Sequence, residues 1–162
     1  MSGHYQQVNI QLILLDIQLC TDVDIVPTDG KSAGEILDSF KSWFSDQKRV
    51  DERWSNSDSA QFFIPESKFS SGVIGKAFVN TVGGGWAVGV IADHSNYAQD
   101  VASTASHELG HNFGLGHDNS QETFGNILFM GYSNNMKNLD PHFLKFIIKE
   151  GVERPTWRNL RL

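Results

Sequence analysis

Residues 107–118 of the chain read His-Glu-Leu-Gly-His-Asn-Phe-Gly-Leu-Gly-His-Asp. His107 and His111 are four apart, so on a helix they stand one turn apart on the same face. Two neutral imidazoles so placed can grip one Zn²⁺ at nitrogen–metal distances of about 2.0–2.1 Å. Glu108 follows the first of them and can lean toward an open coordination position, where water needs a general base. Gly114 lies three residues beyond His111. A residue without Cβ can leave the helix with positive φ, and the turn can return His117 as a third nitrogen ligand. Three protein ligands with one position left open describe a catalytic zinc site, whereas structural sites are closed by four. A lone H-E-x-x-H arises by chance on ordinary helices. The full H-E-x-x-H-x-x-G-x-x-H string fixes five positions at set offsets, and coincidence becomes a poor account of it.

These residues need a scaffold, and the chain supplies one. Its 162 residues suit a single domain that buries roughly 70% of its unfolded surface. Hydrophobic content of 40%, with eleven Phe and four Trp, argues for a packed core. The formal charge of −6 without a basic run argues against nucleic acid as partner. No apolar stretch approaches the ~20 residues of a membrane span, and Met-Ser-Gly-His-Tyr-Gln-Gln lacks the basic and apolar regions of a signal peptide. Oligomeric state is not legible. Cys20 stands alone, so no internal disulfide can form; at the end of an apolar strand it reads as a small buried hydrophobe. A role as a zinc-blocking thiolate is the weaker alternative.

Val8–Cys20 has an apolar, β-rich pattern suited to a strand covered on both faces. Ser32-Ala-Gly-Glu35 is a capping box opening a helix, with Ala33, Ile36, Leu37, Phe40, Trp43 and Phe44 at helical spacing. Ala60–Ile64 is a short strand stopped at Pro65. Val73–Asn80 and Trp86–Ala92 are strands joined through Gly83-Gly-Gly85. The helix bearing the histidines starts near Tyr97 and packs through Ala98, Ala102 and Ala105. Asp140-Pro141 reads as a cap and first helical residue, predicting a helix over Phe143, Leu144, Ile147 and Ile148 that Gly151 ends. Strands interspersed with helices give an α/β (α+β layered) domain with a mixed sheet.

The motif, with Asp118 following the third histidine, resembles the adamalysin (reprolysin, ADAM-like) family of metzincin metallopeptidases. The likeness runs through most of the chain. Val8–Cys20 and Ser32–Phe44 are similar to that family's second strand and second long helix, and Asp58–Phe63 to its third strand. Gly75-Lys76-Ala77-Phe78-Val79 resembles its substrate-binding edge strand, and Gly89–Ser95 the strand leading to the zinc helix. The resemblance implies a zincin/metzincin-like mixed twisted sheet with an active-site helix and a Met-turn subdomain. The cleft would divide an upper subdomain, 1–116, from a lower one, 117–162. It implies a zinc endopeptidase in which His107, His111 and His117 hold Zn²⁺, Glu108 is the base, and a protein or peptide substrate pairs with residues 75–79. Lys76 on that edge reads as a solvated charge.

Within the resemblance, Met130 in Asn126-Ile-Leu-Phe-Met-Gly-Tyr132 is the Met-turn residue, a hydrophobic floor under the imidazoles. Met136, among polar neighbours, is the weaker candidate. Two features depart from the family: Leu128 stands where a cysteine is usual, and Tyr132 resembles the astacin and serralysin turn. Tyr132 either donates to a developing oxyanion or lines the pocket wall. The family also implies a structural calcium site. Asp58 matches one ligand but its partners find no match, so calcium is doubtful and Asp58 serves equally as a turn cap. The family works on the secreted or extracellular side.

The family's first strand and helix have no counterpart here, which reads as an N-terminally truncated catalytic domain. The lost strand would lie between the strands at 8–20 and 60–64. Those neighbours are then expected either to pair directly or to leave 8–20 loosely attached. A different class stays open: a zinc-binding but proteolytically inactive module acting by protein binding. Retention of Glu108 with all three histidines favours the enzyme.

Overall fold

In the computed structural model, the described residues are Tyr5, 10–21, 24–69, 72–117 and the backbone of 142–149. The elements are β1 (Leu12–Cys20), α1 (Ala33–Val50), α2 (Glu52–Ser55), β2 (Ser59–Pro65), β3 (Gly75–Ala77), β4 (Val88–Asp93), α3 (Ala98–Asn112) and β5 (His142–Lys149). One five-stranded sheet has the order β1-β5-β2-β4-β3. β1, β5, β2 and β4 run parallel, and β3 closes one edge antiparallel to β4.

Alternation along the central strand decides the layering, because successive side chains of a strand take opposite faces. Ala60, Phe62 and Ile64 of β2 and Val88 and Val90 of β4 pack with Ile36, Leu37, Phe40 and Phe44 of α1. Phe63 and Ile91 face the other way, onto Val101, Ala105 and Leu109 of α3. The result is helix, sheet, helix. The predicted cap is present: Ser32 Oγ accepts from the Glu35 amide at 3.3 Å, and the Glu35 carboxylate accepts from the Ser32 amide at 2.9 Å. Of the six apolar positions expected to face the core, five are buried, and Trp43 packs partly buried beside them.

Three expectations are corrected. Residues 142–149 form a strand, not a helix. β5 occupies the interior slot between β1 and β2, so those two neither pair directly nor lie unpartnered. The Asp-Pro and Gly punctuation is local, whereas the slot offers two rows of strand donors and acceptors that a helix cannot satisfy. His-Phe-Leu-Lys-Phe-Ile-Ile-Lys is also rich in aromatic and β-branched residues. The third correction concerns β1, which was expected to be covered on both faces. Among the described residues it lies at the edge of the sheet, with Leu15 at 42% and Leu19 at 60% exposure. Its register slips between Leu14 and Asp16, a bulge at Leu15. This lets Leu12 and Leu14 before it and Ile17 after it all pack toward the α3 core. Among the described residues no helix is long and apolar enough to cross a membrane.

Candidate metal centre and active-site cleft

α3 begins at Tyr97 as N-cap and carries His107, Glu108 and His111 in its last two turns. Its end is a Schellman turn: the Leu115 amide donates to Gly110 O at 3.0 Å and the Gly114 amide to His111 O at 2.8 Å. Gly114 sits at φ +92°, a conformation other residues adopt only with strain, and Leu115 is buried behind it. That reversal aims the chain back at α3. His117 arrives with its Nε2 2.9 Å from that of His107 and 3.0 Å from that of His111. All three ligand atoms lie within 4.8 Å of one another.

The donor set fits zinc. Tetrahedral ligand nitrogens at about 2.0–2.1 Å from the metal stand about 3.3 Å apart, so His117 need withdraw from each of the other two imidazoles by only a few tenths of an ångström. His111 Nδ1 lies 2.7 Å from Leu115 O, and a proton on Nδ1 leaves the Nε2 lone pair free for a cation. Burial first, then His111 and His117, lower the His107 pKa to about 4, which keeps its imidazole neutral. Burial likewise lowers His111, opposed by its bond to Leu115.

Glu108 points from the same helix into the cleft and is only 5% exposed. Burial raises its carboxyl to about 8. Two glycines make its place. A Cβ on Gly75 would stand 2.5 Å from Glu108 Oε1, and one on Gly89 would collide with Gln61 Oε1 and meet Glu108 Cβ at 3.3 Å. Tyr5 braces the buried side of α3: its hydroxyl donates to Ser106 O at 2.5 Å and its ring lies 5.5 Å from that of Phe113.

The cleft holds about 820 Å³ and runs between α3 and the β3 edge, lined by Gly75, Lys76, Ala77 and Val79 opposite His107, Glu108, His111 and His117. The expected edge strand Val73–Asn80 is shorter than read, spanning Gly75–Ala77. The chain leaves β4 beyond it because Asn80 and Thr81 donate instead to His111 O and Asn112 O, both at 2.8 Å, capping α3. Lys76 pairs with Val90 and carries its ammonium against Gly34 of α1, on the face away from α3. Phe78 packs against Trp86 and the α1 core and does not line the cleft. Asp58, matched to a calcium ligand, accepts from the Gly83 amide through its own carbonyl. Burial lowers the pKa of Lys48, opposed by the Asp58 carboxylate, and the Lys48 ammonium donates to Ser57 O and Gly83 O. Met130, Met136, Tyr132 and Asp118 lie outside the described residues.

Asn112 escaped the sequence reading. Fully buried at the end of α3, it accepts from Ser59 Oγ and Gln61 Nε2, each at 3.0 Å. Its own amide donates to Phe78 O at 2.9 Å and Val88 O at 3.1 Å. The sole hint was an asparagine, a poor helix former, inside the last helical turn. Asn112→Leu should therefore lower stability by about 1–3 kcal/mol, because it strands several buried polar groups at once. A urea melt reads this directly, and a midpoint equal to wild type would show the network to be dispensable.

A mixed sheet with a three-histidine helix-and-turn site beside an antiparallel edge strand defines a zincin-type metalloprotease fold. Residues 2–126 match the reprolysin (M12B) family zinc metalloprotease, and the chain belongs to that metzincin family. It is 35% identical over 115 residues to snake venom metalloproteinase Ac1 of Deinagkistrodon acutus, covering 70% of this chain and 54% of that protein. It is 30% identical over 122 residues to a zinc metalloproteinase/disintegrin of Bitis gabonica, covering 72% of this chain and 35% of that protein. The chain thus spans about a third to a half of the length of these relatives.

Proposed function

We propose that the chain is a zinc-dependent endopeptidase that cleaves protein or peptide substrates on the extracellular side. The observation that carries this reading is the convergence of three imidazole Nε2 atoms beside a buried glutamate in one cleft. His107, His111 and His117 hold the metal. Zinc, when bound there, supplies a Lewis acid that polarises the scissile carbonyl and acidifies water. The charge of the bound metal would favour the ionised form of Glu108 against its burial, and the carboxylate accepts the proton of the attacking water and returns it to the leaving amine. The open edge of β3 pairs with an extended peptide through main-chain hydrogen bonds, as an added strand. Gly75 and Ala77 face the cleft and keep that approach low. In this reading, Met130 would be the floor and Tyr132 a pocket or oxyanion group, whereas the division at 116/117 does not hold as drawn, because residues 142–149 pair within the sheet between β1 and β2.

The test is metal analysis coupled to cleavage. Purified protein should hold about one zinc per chain and cleave a mixed peptide library. Chelation should stop cleavage and added zinc should restore it. Absence of stoichiometric zinc at neutral pH, or cleavage indifferent to chelation, would overturn the proposal.

A further inference from the structure

The cleft does not end at the histidines. It continues along α3 toward the helix start, where Asp100, Ser103 and Thr104 form one wall and Gly72, Val73 and Ile74 the other. Asp100 precedes His107 by seven positions, so it lies about 10 Å along the helix axis at ~1.5 Å per residue. Its carboxylate is exposed, and the Ser95 hydroxyl donates to Oδ2, leaving Oδ1 without a hydrogen-bond partner among the described residues. Thr104 is oriented by His94, whose Nε2 is 2.9 Å from Thr104 Oγ1. Ser103 is exposed beside it. Opposite them, Ile74 is 44% exposed and presents apolar surface. Lys76, the one lysine or arginine lining the cleft among the described residues, sends its ammonium to the α1 face, away from Asp100.

An acidic and hydroxyl-bearing wall facing an apolar one suits a particular side chain. Lysine and arginine lay an aliphatic stem on apolar surface while the charged head seeks oxygen acceptors. We propose that this end of the cleft is a substrate subsite for a basic residue, with Asp100 as its counter-charge and specificity determinant. The inference rests on the peptidase reading. An extended peptide advances about 3.3 Å per residue, so the preferred position falls within about three residues of the scissile bond.

The test compares peptides carrying arginine, norleucine or glutamate at each position around the cleaved bond. The zinc-loaded full chain should favour arginine over norleucine at one position by about fivefold in kcat/KM, the scale of an exposed charge pair. Asp100→Asn should erase that ratio and Asp100→Lys should invert it toward glutamate. Asp46→Asn, an exposed carboxylate on α1, should leave the ratio unchanged. The arginine preference should also shrink at high salt, where exposed charges are screened. A preference that is absent, or that survives Asp100→Asn, overturns the subsite. If no peptide is cleaved, the peptidase reading fails, and binding of the same fluorescent peptides to the zinc-loaded chain decides the subsite. Tighter binding of the arginine peptide that Asp100→Asn abolishes upholds it; equal or no binding overturns it.

Discussion

Glu108→Gln should leave zinc content at the wild-type level and lower kcat by about 10²–10⁴, the span associated with loss of a positioned acid–base group. The amide is nearly isosteric, so it fits the slot that Gly75 and Gly89 leave for the glutamate side chain. It cannot accept the water's proton. The three imidazoles are untouched, and the His111–Leu115 bond that sets one of their tautomers remains. KM should therefore move little while kcat collapses, because the lost interaction belongs to the transition state. Glu108→Asp should fall between the two. It keeps a carboxylate but withdraws it by a methylene from a position that tight packing fixes. Equal turnover by wild type and Glu108→Gln would place the base elsewhere.

Local chemistry made much of this molecule legible from its residues. Helical spacing alone brings His107 and His111 to one face, and the Gly114 position alone forecasts the reversal that returns His117. The Ser32–Glu35 box reads correctly because both of its hydrogen bonds close within four residues. Legibility fails where partners are distant in sequence. Asn112 answers to Ser59, Gln61, Phe78 and Val88, none within 20 positions of it, and no periodicity announces such a set. β3 was read too long because its apolar pattern continues past Ala77. Its backbone does not, being diverted at Asn80, with φ at 59°, to cap α3. The error at 142–149 has the same origin at larger scale. Asp-Pro before and Gly after are helix punctuation, yet a vacancy between two strands more than 70 residues upstream outweighs them.

That vacancy gives the second large prediction. β5 is hydrogen-bonded on both sides, with Phe146 opposite Ile17 of β1 and Gln61 of β2. Amides of 12–20, 59–63 and 142–149 should therefore be protected from exchange together, as one cooperative unit. Phe146→Pro removes an amide donor from an interior strand and forces its φ, leaving a ladder acceptor unpaired at a cost of about 1–3 kcal/mol. Protection over 12–20 should then fall steeply, since β1 has no other strand partner among the described residues. The β2–β4–β3 half should be hurt less, because β2 keeps β4 and α3 keeps its contacts with Phe63 and Ile91. The variant should still bind zinc while its exposed β1 edge promotes association, as unpaired strand edges do. Exchange over 12–20 that is fast in wild type, or unaltered by the proline, would show that residues 142–149 do not hold β1 in the sheet.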